Sequence, residues 1–193
     1  NSLSDTMFDK LKNTLKSTII YSFGNISLKL IGLILLPIYT DHIIVEEYGK
    51  WAILEVTSQV LVMIISIRLS ASLIRYFSSE DNLDRKRIIV FSSVFITLIS
   101  VLIFNLLLHP LAGTFSELYF NSPDFSRYFK LLLVWSSFEV LNRLSLDYIR
   151  IIQKPGLYVI STIIRFVSVL SLNIYFVAGR NMGIEGILFG QLI

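Results

Sequence analysis

Five long apolar blocks constrain the fold of this 193-residue chain more than any other feature of its sequence. Each block holds roughly 20 residues or more, the length that a helix needs to cross about 30 Å of hydrocarbon. The blocks cover residues 18–39, 51–76, 88–108, 128–150 and 157–178, and a sixth begins near residue 184. We therefore predict an all-α, polytopic transmembrane helix bundle with five complete spans and the start of a sixth.

The composition excludes an ordinary soluble domain. Hydrophobic residues make up 54% of the chain and charged residues only 16%, whereas about 25% of the residues in a typical soluble domain are charged. Every connection between the blocks is short, so we expect residues 1–193 to form a single transmembrane domain that is truncated in its sixth helix. Residue 1 is Asn, and a segment typical of the start of an inner-membrane protein begins at Met7. Residues 1–6 are therefore candidates for upstream sequence that is not part of the native protein.

The distribution of lysine and arginine predicts the orientation of the bundle. Basic residues precede the first span and flank the connections after the second and fourth spans, whereas residues 41–49 and 110–126 contain none. Cytoplasmic connections of membrane proteins retain positive charge. We therefore predict a multi-pass protein of the bacterial inner membrane with a cytoplasmic N-terminus. The net charge of +3 reflects this bias and does not indicate a nucleic-acid partner.

The fourth block carries an unusual row of charges. In the stretch FEVLNRLSLDYIR, the residues Glu139, Arg143, Asp147 and Arg150 are spaced by four, four and three positions, which places them on one face of a helix. A charge deep in a bilayer costs at least about 2.5 kcal/mol, so such residues usually face the bundle interior or a water-filled cavity. Opposite charges four residues apart also attract each other, so mutual neutralisation along this helix is the alternative.

Polar faces on the other spans favour a shared cavity. Lys29 and Arg165 have no acidic residue in their own spans. If these faces converge, positive charge is in surplus, and the guanidinium group suits phosphate. The alternative is helix packing by partner charges in the missing C-terminal part. We predict a substrate-binding cavity formed by Lys29, Arg68, Arg143, Arg165 and Asn25, with charge balance or ion coupling by Glu55, Glu139 and Asp147.

Other residue types give little sign of chemistry. The two histidines lie at span ends, and the sequence has no glycine-rich phosphate loop and no nucleophile elbow. We therefore predict that the protein is not an enzyme and has no cofactor, metal site or catalytic residue. Gly183, Gly186 and Gly190 have a spacing that favours close helix packing.

Four stretches, taken in order, resemble a known family. GNISLKLIGLILLPIYTDHIIVEEYGKWAILE is similar to the first two helices of bacterial polysaccharide, or O-antigen, flippases of the multidrug/oligosaccharidyl-lipid/polysaccharide exporter superfamily. SIRLSASLIRYF resembles the end of their second helix, although Arg68 and Ser70 stand where Gly and Asp are frequent. IRIIQKPGLYVI and GRNMGIEGILFG resemble the loop between helices four and five and the entry to helix six. Val45 replaces the proline of a common Pro-Glu-Glu-Tyr-Gly motif.

The resemblance implies the N-terminal lobe of a two-lobe transporter that works by alternating access. Its substrate would be an undecaprenyl-pyrophosphate-linked oligosaccharide, moved from the cytoplasmic to the periplasmic leaflet. Its partners would be that lipid-linked oligosaccharide, membrane lipids and the missing C-terminal lobe of the same chain. Two alternatives are a proton- or sodium-coupled drug or metabolite antiporter of the same superfamily, and a membrane glycosyltransferase such as an O-antigen polymerase or ligase.

Overall fold

The computed structural model describes residues 30–192 and, before them, residues 15, 18, 19, 21, 22 and 26; residues 67 and 68 are described in their backbone only. The described chain is helical almost throughout, and no β-strand occurs among residues 30–192. The helices are α1 (Leu30–His42), α2 (Val45–Ser79), α3 (Leu83–Leu108), α4 (Ala112–Phe120), α5 (Ser126–Ile151), α6 (Pro155–Asn173) and α7 (Gly183–Gly190). A 3-10 turn (Pro123–Phe125) precedes α5, and a π-helical segment (Ile174–Gly179) extends α6. The predicted all-α membrane helix bundle is confirmed.

Three helices are long and apolar enough to cross a membrane by length and composition: α2, α3 and the run Pro155–Gly179 formed by α6 and its π-helical segment. α5 has 26 residues but is not among them, because charged residues recur along its length. α3 is the opposite case, since only 6% of its most apolar stretch is buried. α3 is therefore exposed along most of its surface, whereas α5 packs against α2, α3, α4, α6 and α7.

Two connections differ from the sequence prediction. α2 begins at Val45, inside the stretch 41–49 that we expected to be a connection, and Glu46 and Glu47 in its first turn favour a helix N-terminus. The expected connection 110–126 contains α4, which ends at Phe120 and is followed by Asn121 in the left-handed conformation with φ 51°. Local charge and turn chemistry therefore extend helical structure beyond the apolar blocks.

The turns divide the bundle into two ends. We name the end that holds residues 80–82 and 152–154 the Asn82 end, and the opposite end, with residues 109–125, the Pro110 end. The Asn82 side chain caps α3 by accepting from the backbone N–H groups of Asp84 and Arg85 at 2.9 and 3.3 Å. The backbone N–H of Asn82 donates to Glu80, which holds the pKa of that carboxyl below its usual value.

α7 packs closely on the end of α6. A Cβ atom at Gly186 would lie 3.1 Å from the backbone of Phe176, and one at Gly190 would lie 2.3 Å from the side-chain nitrogen of Asn173. Asn173 is fully buried, and its Oδ1 accepts a hydrogen bond of 2.8 Å from the Tyr39 hydroxyl of α1. The glycines permit this close approach, which joins α1, α6 and α7 at the Pro110 end.

Candidate functional site

An open, polar cavity of about 680 Å³ lies between α1, α2, α5 and α6. Four of the residues that line it carry charge: Glu55 from α2, Glu139 and Arg143 from α5, and Arg165 from α6. Because charged groups at membrane depth are stable only against protein or water, these side chains identify the cavity as the candidate site.

Two helices that run in the same direction form the floor of the cavity. Their contacts advance together along both chains, from Trp51 stacked on Trp135 at 5.7 Å between ring centroids to the pair of hydroxyls Ser58 Oγ and Ser136 Oγ at 2.9 Å. Glu55 lies between these contacts in sequence. It is therefore at about the depth of Trp135, whereas Arg143 lies two turns nearer the Asn82 end.

One carboxylate holds two arginines in this cavity. Arg165 Nη2 donates a hydrogen bond to Glu139 Oε2, and Arg143 Nε lies 3.5 Å from Glu139 Oε1. The side chains of Glu139 and Arg165 are only 17% and 18% exposed. Arg165 thus obtains from α5 the counter-charge that its own helix lacks, and the cluster of three residues carries a net positive charge.

Arg143 is the less constrained arginine. Its side chain is 47% exposed, and its closest approach to Glu139 is the 3.5 Å between Nε and Oε1. The Arg143 side chain forms no hydrogen bond with a described residue. Because a guanidinium group has five N–H donors in a planar fork, Arg143 retains donors for a ligand in the cavity.

Glu55 is the other carboxylate of the cavity, and its surroundings differ from those of Glu139. Within the described part of the chain, Glu55 takes part in no ion pair and no side-chain hydrogen bond. Trp51 lies one turn before it and Gln59 one turn after it, and both also line the cavity. The described charges of the cavity are therefore two arginines and two glutamates.

The structure does not describe the side chains of three predicted site residues. Asn25 and Lys29 lie outside the described residues, and Arg68 belongs to α2 but is described in its backbone only. The predicted surplus of positive charge depends on these residues and stays a prediction.

Asp147 belongs to a separate pair. Its Oδ1 lies 3.2 Å from Arg150 Nη1, and Arg150 Nη2 donates to the Tyr158 hydroxyl at 3.1 Å. Neither Asp147 nor Arg150 lines the cavity. The charged row on α5 therefore divides into Glu139 and Arg143 at the cavity and Asp147 and Arg150 away from it. Each of the two groups contains an ion pair within α5, so the mutual neutralisation raised by the spacing applies to both.

The contact between Trp51 and Trp135 and the place of Gln59 in the cavity wall were not predicted from the sequence. A signal was present, because the only two tryptophans of the chain each precede a glutamate by four residues, in WAILE and WSSFE. A tryptophan and an acid one turn apart lie on one face of a helix. The pairing of those two faces across α2 and α5 depends on tertiary packing.

A second cavity of about 510 Å³ lies on the opposite side of α2, bounded by α3, α4 and α5 at the Pro110 end. Its lining is almost entirely apolar and includes the stacked rings of Phe115 and Phe129. None of the described residues that line it is charged, so it suits a charged headgroup less well than the polar cavity does.

Comparison with known proteins shows which family the chain belongs to. No curated protein matches the chain, and no solved structure matches it. A family model described as polysaccharide biosynthesis protein matches residues 14–193, which include α1 to α7 and every residue of the polar cavity. The chain belongs to the polysaccharide biosynthesis protein family.

Proposed function

We propose that this protein moves an undecaprenyl-pyrophosphate-linked oligosaccharide from the cytoplasmic to the periplasmic leaflet of the bacterial inner membrane by alternating access. The family supports a role in polysaccharide biosynthesis, and the polar cavity supplies a route for a charged headgroup. A pyrophosphate cannot cross hydrocarbon unaided, because transfer of unpaired charge out of water is very costly. The lipid chain can remain in the bilayer while the headgroup occupies the cavity.

The observation that carries this proposal is the half-exposed side chain of Arg143, which has hydrogen-bond donors to spare. Glu139 Oε1 lies 3.5 Å from its Nε, its side chain is 47% exposed, and it forms no hydrogen bond with a described residue. Phosphate oxygens match this fork geometrically and form charge-assisted hydrogen bonds. Arg165, held by the same carboxylate, adds positive charge beside it. Lys29, Arg68 and Asn25 are proposed to complete the binding site.

Each acidic residue has a proposed supporting role. Glu139 positions the two arginines, and Asp147 balances Arg150. Glu55 favours one second candidate function, a proton- or sodium-coupled antiporter, because a carboxylate without a described counter-charge can bind a cation. The two arginines that line the same cavity favour an anionic substrate instead, since an exported cation would be repelled by them.

Arg143 can be tested against a matched arginine on the same helix. Arg150 is similarly exposed, at 44%, and has an acidic neighbour one turn earlier, but it does not line the cavity. In the full-length protein, we expect Arg143→Gln to reduce export roughly tenfold or more, because charged hydrogen bonds contribute about 1.5–3 kcal/mol. Arg143→Lys should retain part of the activity, since it keeps the charge and loses the fork.

The measurement is restoration of surface polysaccharide in a strain that lacks its own flippase, alongside the amount of protein in the membrane. Arg150→Gln is expected to keep most of the export. Normal export by Arg143→Gln at normal protein amount would remove the phosphate-binding assignment. Export of a cationic drug that depends on Glu55, without restored polysaccharide, would favour the antiporter.

The direction of transport depends on the predicted orientation, which cysteine labelling can test because the chain has no cysteine of its own. Cysteines at Asn82 and Gln153 should be shielded from a membrane-impermeant thiol reagent in intact cells. Cysteines at Glu47 and Glu117 should react; neighbouring Ser116 is fully buried and unsuitable. Reaction of the cysteine at position 82 in intact cells would show that the predicted orientation, and with it the proposed direction of transport, is wrong.

A further inference from the structure

We propose that the cavity wall formed by Trp51, Glu55, Gln59 and Trp135, named here the tryptophan wall, binds the sugar that is attached to the pyrophosphate. This wall is proposed to accept a neutral or amino sugar and to disfavour an acidic sugar. The inference rests on the proposed function and adds to it the class of sugar that the cavity admits.

The tryptophan wall and Arg143 are far enough apart to contact two different parts of one headgroup. Trp135 and Arg143 lie on the same face of α5, eight residues apart, and both line the cavity. Eight residues of an α-helix rise about 12 Å. A pyrophosphate and its first sugar ring can span this distance, with the phosphates at Arg143 and the sugar toward the Pro110 end.

The tryptophan wall offers hydrogen-bonding groups that the protein itself leaves unused. Glu55 and Gln59 form no side-chain hydrogen bond with a described residue. Trp135 is only 8% exposed, and its indole Nε1 is buried without a partner in the described part of the chain. A buried donor without an acceptor is unfavourable. Sugar hydroxyl groups both donate and accept hydrogen bonds, so they complement the carboxylate of Glu55 and the amide of Gln59 together.

The charge of the wall determines which sugars it admits. The carboxylate of Glu139 is shared by two arginines, whereas that of Glu55 has no described cation beside it. A uronic acid placed on the tryptophan wall would bring a second carboxylate close to Glu55, and the two would repel each other. A neutral sugar avoids this repulsion, and an amino sugar gains an attraction. At a separation of about 4 Å, the expected discrimination is about tenfold.

The experiment measures binding of three probes to the full-length protein purified in detergent. The probes are bare polyprenyl pyrophosphate, the same lipid with one N-acetylglucosamine, and the same lipid with one glucuronic acid. We expect the wild type to bind the neutral-sugar probe about tenfold more tightly than the acidic-sugar probe. Glu55→Gln should reduce this ratio to below about threefold, because the amide keeps the hydrogen bonds and removes the repulsion.

Two further variants complete the test. Glu117→Gln makes the same chemical change on the exposed surface of α4, away from the cavity, and should keep the wild-type ratio. Gln59→Ala should lower the affinity for the neutral-sugar probe severalfold, relative to its affinity for the bare lipid. Equal binding of the two sugar probes by the wild type, or an unchanged ratio in Glu55→Gln, would overturn the sugar assignment.

Failure of the proposed function would give a different result. In that case Arg143→Gln would bind bare polyprenyl pyrophosphate as tightly as the wild type does, whatever the ratio between the two sugar probes. A loss of bare-lipid binding in Arg143→Gln, together with a ratio near one in the wild type, would retain the proposed function and reject the sugar assignment.

Discussion

Two stretches of the chain share one pattern and differ in electrostatics. WAILE in α2 and WSSFE in α5 each place a tryptophan one turn before a glutamate, and the two tryptophans stack across the parallel helices. Glu139 is nevertheless held between two arginines, whereas Glu55 has no described counter-charge. The pattern fixes where each carboxylate lies, and the neighbouring residues determine what each can do.

The difference begins in the following turn of each helix. α5 continues from Glu139 to Arg143, whereas α2 continues from Glu55 to Gln59. Packing then adds Arg165 of α6 to Glu139. One glutamate becomes a structural anchor for cations, and the other remains available to a ligand.

The largest expected difference between the two glutamates is in the loss of stability when each is replaced. Glu139→Gln removes the only described counter-charge of Arg165, whose side chain is 18% exposed. Removal of one partner from a buried pair costs about 3–5 kcal/mol. Glu55→Gln breaks no described pair, so its cost should stay below about 1 kcal/mol. The midpoint of thermal unfolding of the full-length protein in detergent measures both, and equal losses would show that the two carboxylates are equivalent.

A smaller effect, on sugar preference, should follow when α2 is given an arginine four residues after its glutamate, as in α5. Gln59→Arg places an arginine four residues after Glu55, as Arg143 follows Glu139. Such a pair adds only about 0.2–0.5 kcal/mol to helix stability, but it supplies Glu55 with a counter-charge. We expect the preference for the neutral-sugar probe to fall from about tenfold toward equality. A preserved preference would mean that the charge of Glu55 does not select the sugar.

The helices and the positions of the charges were predictable from the sequence because both depend on local periodicity. The apolar blocks predicted α2, α3 and α6 to within a few residues, except at the N-terminus of α2, where Glu46 and Glu47 begin the helix early. The spacing of Glu139 and Arg143 predicted their common face, and the structure places both in one cavity with Glu55 and Arg165.

The partners of those charges were not predictable, because they depend on contacts between helices. Arg165 obtains its carboxylate from a different helix, 26 positions earlier in the chain, and no local pattern specifies that pair. The close approach of Gly190 to Asn173 is similar: the glycine spacing indicated tight packing, but the buried asparagine opposite it follows only from the fold. The binding roles of the cavity residues stay predictions.

The most direct test of the account is the affinity of the full-length protein for bare polyprenyl pyrophosphate, measured for the wild type, Arg143→Gln and Arg150→Gln. These arginines lie on one helix with similar exposure, but only Arg143 lines the cavity. We expect a dissociation constant roughly tenfold to a hundredfold higher for Arg143→Gln, from the loss of charged hydrogen bonds. For Arg150→Gln we expect a change within about twofold. Equal affinities for the two variants would contradict the account.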